Sequence, residues 1–402
     1  MPGWTTRWGG GRLPCIASDP AVPFVVDRSA HPPIPVCALP VMPESAAPLN
    51  DALAPLHALT PPRTATLQLV YTTRGRVHLT APPASVWRGQ LGEFLHRIAP
   101  EHHHNHDLSL YQQLFRTPRT AVDLPNELSG RALGRLGLAG EHVPHPFVMR
   151  MHTPPDPGEP LVLPPNTRVH VDMVLIEDAL EAIPSLTAAF DALGAQGLGK
   201  KTEQSGGARR RGRVRLSEAT LDLNGVALPL YDGTQWSLPP RCDTHLFEQA
   251  AALQPDAHAA PDGPVTVQLR TPLRLKHARQ IVRPDDMSVP ALCAATYRRL
   301  VGLAVCYSPV PPAASAVQDL LDGFFALGDA TTLDASALTW ATGGRYSHRQ
   351  GRRHPTSGLM GPLTLDGPPP VRQIWHRFMG HAEALHLGKK TALGLGRVEG
   401  VS

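Results

Sequence analysis

The apolar positions of the chain fall into two successive series of strand and helix. The run ATLQLVYTT (65–73) alternates with the period of a half-buried strand. SVWRGQLGEFLHRI (85–98) then changes to the helical period: Val86, Leu91, Leu95 and Ile98 share one face, and Ser85 is placed to cap the first turn. PFVMRMH (146–152) and TRVHVDMVLI (167–176) are strand-like. DALEAIPSLTAAFDALG (178–194) reads as a helix stopped at Gly194. A glycine- and arginine-rich stretch (197–213) follows, and RVRLSEATLDL (213–223) is a further strand. Residues 225–262 are rich in loop formers, with Pro239, Pro240 and Pro261 as breakers.

The same order then returns. VTVQLRTPLRLK (265–276) is strand-like. VPALCAATYRRLVGLAVCY (289–307) is helical with Pro290 in its first turn, where a missing N–H costs nothing. LDASALTWATG (333–343) and SGLMGPLTLDG (357–367) are strand-like, PVRQIWHRFMGHAEALHLG (370–388) is helical, and LGLGRVEGV (393–401) closes as a strand. Each half reads β-α-β-β-α-β, the split pattern of a ferredoxin-like domain. The expected fold is therefore α+β, with two tandem ferredoxin-like domains over 65–224 and 263–402 joined by a linker. A glycine element recurs between the second helix and last strand of both halves, as GLGKKT (197–202) and GKKTALGLG (388–396), which points to duplication.

Residues 1–64 show no sustained periodicity and are rich in Pro, Ala and Gly, so a poorly ordered extension is expected there. Met42 opens a more natural start, and residues 1–41 are given no function. Over the whole chain, 44 prolines and 35 glycines among 402 residues imply much loop, while 42% apolar residues suffice for two cores. The five cysteines form no Cys-x-x-Cys pair, which argues against a disulfide framework and fits a reducing cytoplasm. No uninterrupted apolar run approaches the roughly 20 residues of a membrane span.

Net charge is only +4, but its distribution matters more. Basic residues gather at Lys200 and Lys201, at Arg209, Arg210, Arg211 and Arg213, at Arg345, Arg349, Arg352 and Arg353, and at Lys389 and Lys390. Four clusters beside glycines are the footprint of a polyanion site. In HLGKKTALGLGRVEG, Gly388, Gly394 and Gly396 leave room for a close approach of backbone to phosphate. Successive N–H groups can line an anion-binding concavity there, with charge from Lys389 and Lys390 and a hydroxyl from Thr391. A Walker loop fits poorly, because this segment follows a helix and precedes a strand. A tight structural turn is the plainer alternative.

Several segments resemble the CRISPR-associated Cas six endoribonucleases of the RAMP superfamily: WRGQLGEFLHRI (87–98), LYQQLFRTP (110–118), HPFVMR (145–150), RYSHRQGRR with GLMGPLTLDG (345–367), and the terminal GKKTALGLGRV. The resemblance covers about residues 65–402. It implies a cytoplasmic protein that needs no cofactor, binds precursor CRISPR RNA at its repeat hairpin, and works beside other CRISPR effector subunits. It also implies metal-independent cleavage. The 2′-hydroxyl attacks the adjacent phosphate, a general base and acid move the protons, and the ends are a 2′,3′-cyclic phosphate and a 5′-hydroxyl.

In such relatives the catalytic residue commonly lies on or just after the first helix. Here that position holds His96 and the cluster His102, His103, His104 and His106, with Tyr111 as an auxiliary; imidazole titrates near neutrality and suits either role. Some relatives carry cysteines where this chain has PEHHHNHDLS (100–109). Four histidines could bind a metal, but three in succession splay their side chains, and no metal site is expected. His348 and His354 flank arginine-rich loops, while His376, His381 and His386 read as structural or surface residues. Two rivals stand beside the nuclease reading: a non-catalytic RAMP subunit that holds guide RNA, and a metal- or nucleotide-binding protein using the histidine cluster or the lysine–glycine loop.

Overall fold

Alternation along β1 (Thr64–Thr73) buries Leu67, Leu69 and Tyr71 on one side and leaves Thr66, Gln68 and Thr72 half-buried on the other. That division sets the architecture of the first half. The computed structural model describes residues 46–80, 82–98, 108–152, 159–203, 209–251, 263–347 and 351–401. Before β1 lies α1 (Ala46–Ala58). After it come β2 (Val77–Leu79), α2 (Ala84–Ile98), α3 (Gly130–Leu136), β3 (Phe147–Met151), β4 (Leu161–Leu163), β5 (Arg168–Ile176), α4 (Ile183–Gln196), β6 (Leu198–Glu203), β7 (Arg209–Gly212), β8 (Val214–Leu223), β9 (Val226–Tyr231) and α5 (His245–Ala251).

The first sheet runs β3-β5-β1-β8-β9, antiparallel throughout. Helices α2 and α4 cover its apolar face. Trp87, Leu91 and Leu95 from α2 and Leu186, Phe190 and Leu193 from α4 are buried there, and the Tyr71 hydroxyl donates to the Phe190 carbonyl at 2.9 Å.

The second half contains β10 (Val265–Leu273), β11 (Lys276–His277), β12 (Gln280–Ile281), α6 (Val289–Tyr307), α7 (Ala314–Asp329), β13 (Thr332–Asp334), β14 (Thr339–Ala341), β15 (Gly344–Ser347), β16 (Arg352–Pro355), β17 (Gly358–Asp366), α8 (Pro369–Leu385) and β18 (Val398–Glu399). Its sheet runs β13-β17-β10-β18, with β14 also on β17. In both halves the last strand of the split motif lies beside the first, then the third, then the second. That is the ferredoxin-like order, and the fold is α+β with two such domains in tandem.

Several elements differ from the expectation. Residues 46–58 are no unstructured extension: Leu53 and Leu56 are fully buried against α7 and α8 of the second half. The helix expected over 178–194 opens as a 3-10 turn (Glu177–Ala182). The α-helix begins only at Ile183, with Pro184 in its first turn, and runs past Gly194 to Gly197 in the C-cap. The described parts of the stretch 197–213 pair as antiparallel strands, β6 with β7, rather than forming a loop. The stretch 225–262 carries β9 and α5, and α7 is an additional helix. Helix α6, at 19 residues, is long and apolar enough for a membrane span, but most of it is buried in the core of the second half.

The two halves are locked by arginines. Arg150 Nε donates to Asp172 Oδ2 at 2.6 Å within the first sheet, and its Nη1 reaches the Glu383 carbonyl of α8 at 3.5 Å. Arg397, just before β18, returns the contact with Nη1 to the Met151 carbonyl at 2.6 Å.

Candidate nucleic-acid interface

A cleft of about 460 Å³ opens between the halves. Arg88 of α2 enters it from the first half. Arg274 and Lys276 come from the end of β10 and from β11, Arg298 and Arg299 from α6, Arg345 from β15, and Lys389 and Lys390 from the turn after α8. That makes eight cationic side chains, and no carboxylate is among the lining residues described. Burial lowers the pKa of Arg298 and Arg345, and it pushes Arg299 down to about 10. Lys389 and Lys390 are lowered first by burial and then by the cations around them: Lys276, Arg298 and Arg274 for Lys389, and Arg274, Arg345 and Lys389 for Lys390. Like charges held together at lowered dielectric repel one another, and an anion in the cleft relieves that repulsion.

A column of rings leads from the cleft to His96. The guanidinium of Arg88 lies 5.1 Å from the centre of the Phe115 ring and 5.9 Å from that of Phe147. Phe115 stacks on Tyr111 at 5.8 Å, and Tyr111 meets His96 at 4.8 Å. Local sequence builds this column. Gly92 faces Phe115 so closely that a Cβ would stand 2.9 Å from the ring, and residues Gln112–Arg116 form a π-helical turn that presents Phe115. His96 is exposed at the last turn of α2, and Tyr111 is 7% exposed beneath it.

Beside Arg88, His145 accepts a hydrogen bond from Arg88 Nη2 at its Nε2 (3.0 Å). A guanidinium can only donate, so the ring proton sits on Nδ1, 3.4 Å from Thr117 Oγ1. Burial first, then the charges of Arg88 and Arg299, push the pKa of His145 down to about 3, with a hydrogen bond at Leu114 pulling the other way. His145 is therefore a neutral support for Arg88 and takes no charge itself near neutrality.

The glycine loop departs from the expected phosphate cradle. A Cβ at Gly394 would stand 2.7 Å from the Met149 carbonyl, and one at Gly396 would stand 1.9 Å from that of Leu387. Gly388 meets the Arg274 carbonyl at 2.8 Å in the same way. The missing side chains admit neighbouring protein rather than ligand. The N–H groups of Lys389, Gly394 and Gly396 donate to Arg274, Thr391 and Pro272 carbonyls, so these three do not cradle an anion. Thr391 is 8% exposed. The two lysines remain available to the cleft, with Lys390 Nζ also donating to the Pro355 carbonyl at 2.7 Å.

The other basic clusters lie on hairpins. Lys200, Lys201, Arg209 and Arg210 are exposed along β6–β7, Arg213 is exposed where β8 begins, and Arg211 Nη1 donates to Gln90 Oε1 of α2 at 2.7 Å. Arg345, Arg352 and Arg353 lie on β15–β16, and Arg345 Nη2 crosses to within 3.3 Å of where a Gly89 Cβ would be. Arg349, His348, His102, His103, His104 and His106 fall outside the described residues. His386 is fully buried, its pKa well below that of free imidazole through burial and the neighbouring Arg150, Arg397 and Arg299.

Sequence reasoning missed Arg88, His145, Arg274, Lys276, Arg298 and Arg299. Arg298 and Arg299 carried a readable signal, two adjacent cations inside an otherwise apolar helix. The others come together only through the fold.

Residues 267–398 match the family model described as CRISPR-associated endoribonuclease Cas6. Residues 60–241 match a second model, described as an N-terminal domain. A comparison with curated proteins returns no match. Among solved structures, the chain is similar to a Cas6 product complex (13% identity, TM-score 0.45, covering 84% of this chain and 98% of that one). It is also similar to a Thermus thermophilus Cas6 (14% identity, TM-score 0.41, 84% and 98%). A third is the product of a Cas6-related gene from Pyrococcus furiosus (8% identity, TM-score 0.37, 84% and 98%).

Proposed function

Taking as premise that the chain belongs to the Cas6 family, as residues 267–398 show, we propose that it is an endoribonuclease that cuts precursor CRISPR RNA within its repeats without a metal ion. One observation carries the reading: eight cations from both halves line one cleft with no carboxylate among its described lining residues, joined by a column of rings to an exposed histidine. A polyanion fits such a lining. A two-metal nuclease would need acidic ligands, and no group of three or more ligating side chains exists among the described residues.

The chemistry follows from these side chains. RNA lies along the cleft with its phosphates on the arginines and lysines. The 2′-hydroxyl attacks the adjacent phosphorus and the 5′-oxygen leaves. His96, or a histidine of the 102–106 cluster that follows it in the chain, transfers a proton in this step, and the Tyr111 ring supports His96 from below. The cations neutralise the charge that builds on the phosphate. DNA cannot react by this route, because it lacks the nucleophile.

The test is incubation with cognate repeat RNA in excess EDTA, followed by identification of the ends. A 2′,3′-cyclic phosphate with a 5′-hydroxyl is expected, and an RNA with one 2′-deoxy sugar at the cut should bind and stay whole. A strict need for divalent metal in the chemical step, or 3′-hydroxyl ends, would overturn the mechanism. RNA binding without any cleavage favours the guide-holding subunit instead. His96→Ala should slow single-turnover cleavage by about 100-fold or more with affinity retained. If neither this change nor replacement of the four cluster histidines slows the cut, the acid–base group lies elsewhere.

A further inference from the structure

His152, His170 and Asp172 stand together on the first sheet and take no part in the cleft. Successive side chains of a strand point to opposite faces, so Val171 and Met173 of β5 enter the core while His170 and Asp172 stand on the other side. Antiparallel pairing sets Arg150 of β3 opposite Asp172. At the end of β3 the His152 N–H donates to the His170 carbonyl at 3.3 Å, so the two histidines face each other across the strands. Their ring centres lie 5.8 Å apart, the rings are tilted by 67°, and both residues are exposed.

Asp172 orders one of these rings. It is buried, and its Oδ2 meets His152 Nε2 at 2.9 Å and Arg150 Nε at 2.6 Å. Burial alone would raise the pKa of the carboxyl; the hydrogen bond to His152 and the charge of Arg150 outweigh it and hold the group below its ordinary range. An ionised carboxylate only accepts, so the neutral His152 ring keeps its proton on Nε2 and presents a bare Nδ1 at its other edge. A ring tied to a carboxylate through one nitrogen and open at the other is the arrangement that orients a metal-bound histidine. The neighbouring guanidinium groups are neutralised: Arg150 pairs with Asp172, and Arg168 of β5 pairs with Glu218 at 2.9 Å.

We propose that His152 and His170 are the two protein ligands of an exchangeable site for a first-row transition cation of the zinc or copper class, with Asp172 as the carboxylate that orients His152. Zinc binds an imidazole nitrogen at about 2.0 Å, which places two rings on one ion with their centres about 5 Å apart at the tetrahedral angle. The observed separation of 5.8 Å is within about 1 Å of that, a side-chain adjustment for exposed rings. Asp172 is spent on His152 and Arg150, and no group of three or more ligating side chains occurs among the described residues, so water completes the coordination and the ion exchanges freely. A cation there clips the end of β3, an edge strand, to β5. The carbonyl of Met151, one residue before His152, accepts from Arg397 of the second half, so the clip falls at the seam.

The test is a calorimetric titration of zinc chloride into the full chain, comparing the parent, His152→Gln, His170→Gln and the double variant. Melting curves without metal check that each is folded. Other histidines of the chain contribute to all four alike, so the readout is the difference: the parent should bind one zinc ion per chain more than each variant. Copper(II) should take the same site more tightly, and magnesium and calcium should leave the zinc in place. In protein labelled with nitrogen-15 at histidine, zinc should move the His152 Nδ1 resonance and leave Nε2 protonated toward Asp172. Amide exchange in residues 148–152 should slow with zinc in the parent and stay unchanged in the double variant. A double variant that binds as much zinc as the parent overturns the proposal, as does coordination through His152 Nε2, or an equal slowing of exchange in both proteins. RNA takes no part in the measurement, so its outcome is independent of the endoribonuclease reading.

Discussion

Residues 197–213 and 388–396 are written with the same glycines and lysines, yet the fold uses them in opposite ways. In the first segment β6 pairs with β7, and Lys200, Lys201, Arg209 and Arg210 stand in solvent while Arg211 turns to Gln90 of α2. The second is a turn closed between the halves: Gly394 and Gly396 are buried, and Lys389 and Lys390 face the cleft. In both, glycine admits protein backbone. A Cβ at Gly199 would stand 2.0 Å from the His78 carbonyl, much as one at Gly396 would stand 1.9 Å from Leu387. What differs is how much structure depends on the contact. The hairpin leans on the short strand β2 and one side of α2, whereas the turn joins β10, α2 and β3.

Gly396→Val should separate the two segments most sharply. Its φ of 71° and the Leu387 carbonyl leave no room for a side chain, and the seam is coupled to both cores. A loss of about 4 kcal/mol or more in denaturant unfolding is expected. A variant that unfolds with the parent and loses only RNA affinity would return the loop to the role of phosphate cradle. Gly199→Ala meets a similar clash in the hairpin, and about 2 kcal/mol is expected, expressed locally. Hydrogen exchange should rise in 198–212 while the rest of the chain keeps its protection. Equal loosening in both halves would show that the hairpin is part of the core.

The charges sharpen the comparison further. Lys389→Ala with Lys390→Ala should weaken RNA binding about tenfold, and Arg209→Ala with Arg210→Ala about threefold, because screening is stronger on the hairpin. Each pair should flatten the salt dependence by up to about 1.4 in log–log slope for a single strand. Affinity titrations at two salt concentrations decide this, and the reverse ranking would make the hairpin the main contact.

The smallest effect is one of acidity. His145, pushed down to about 3 by burial and Arg88, and His381, pushed down to about 4 by burial and Arg377, are neutral in the fold. In the unfolded chain imidazole titrates near 6.5. Below that value the unfolded state binds more protons, so stability rises with pH across the window and is lost as pH falls through it. Between pH 7 and 6 the loss is about 0.7 kcal/mol per group. Residues 197–213 contain no histidine, so exchange should quicken in the seam around His386 before it quickens in β6–β7. Stability that is flat from pH 7 to 6 would show that these rings take up protons in the fold as they do in the unfolded chain.

Both split motifs could be read from the sequence because period 2 and period 3.6 alternate plainly along 65–98 and 265–307. Helix α7 is equally readable, with Val317, Leu320, Leu321, Phe324 and Leu327 on one stripe, but it has no place in the four-strand, two-helix pattern of a ferredoxin-like domain. Helix α1 was hidden by Pro55 within it and by the proline-rich company of its sequence. The cleft was legible only in part. Arg345, Lys389 and Lys390 sit in visible clusters, but Arg88 and His145 are isolated in sequence and meet only because α2 packs beside β3. The glycine loop misled because sequence shows that a side chain is missing without showing which neighbour needs the space.

Helix α1 precedes the first domain in the chain but belongs to the core of the second. Leu56 packs on Gly323, and Arg377 of α8 donates to the carbonyls of Leu56 and His57. During synthesis α7 and α8 emerge from the ribosome some 270 and 320 residues after α1. An apolar helix must therefore wait, with Leu53 and Leu56 uncovered, until α7 and α8 have been made, and the contact ties together segments far apart in the chain. The second domain is thus no independent C-terminal module. Expressed as 263–402 alone it should lack one wall and melt below the full chain, and a peptide of residues 46–59 supplied in trans should restore part of the difference.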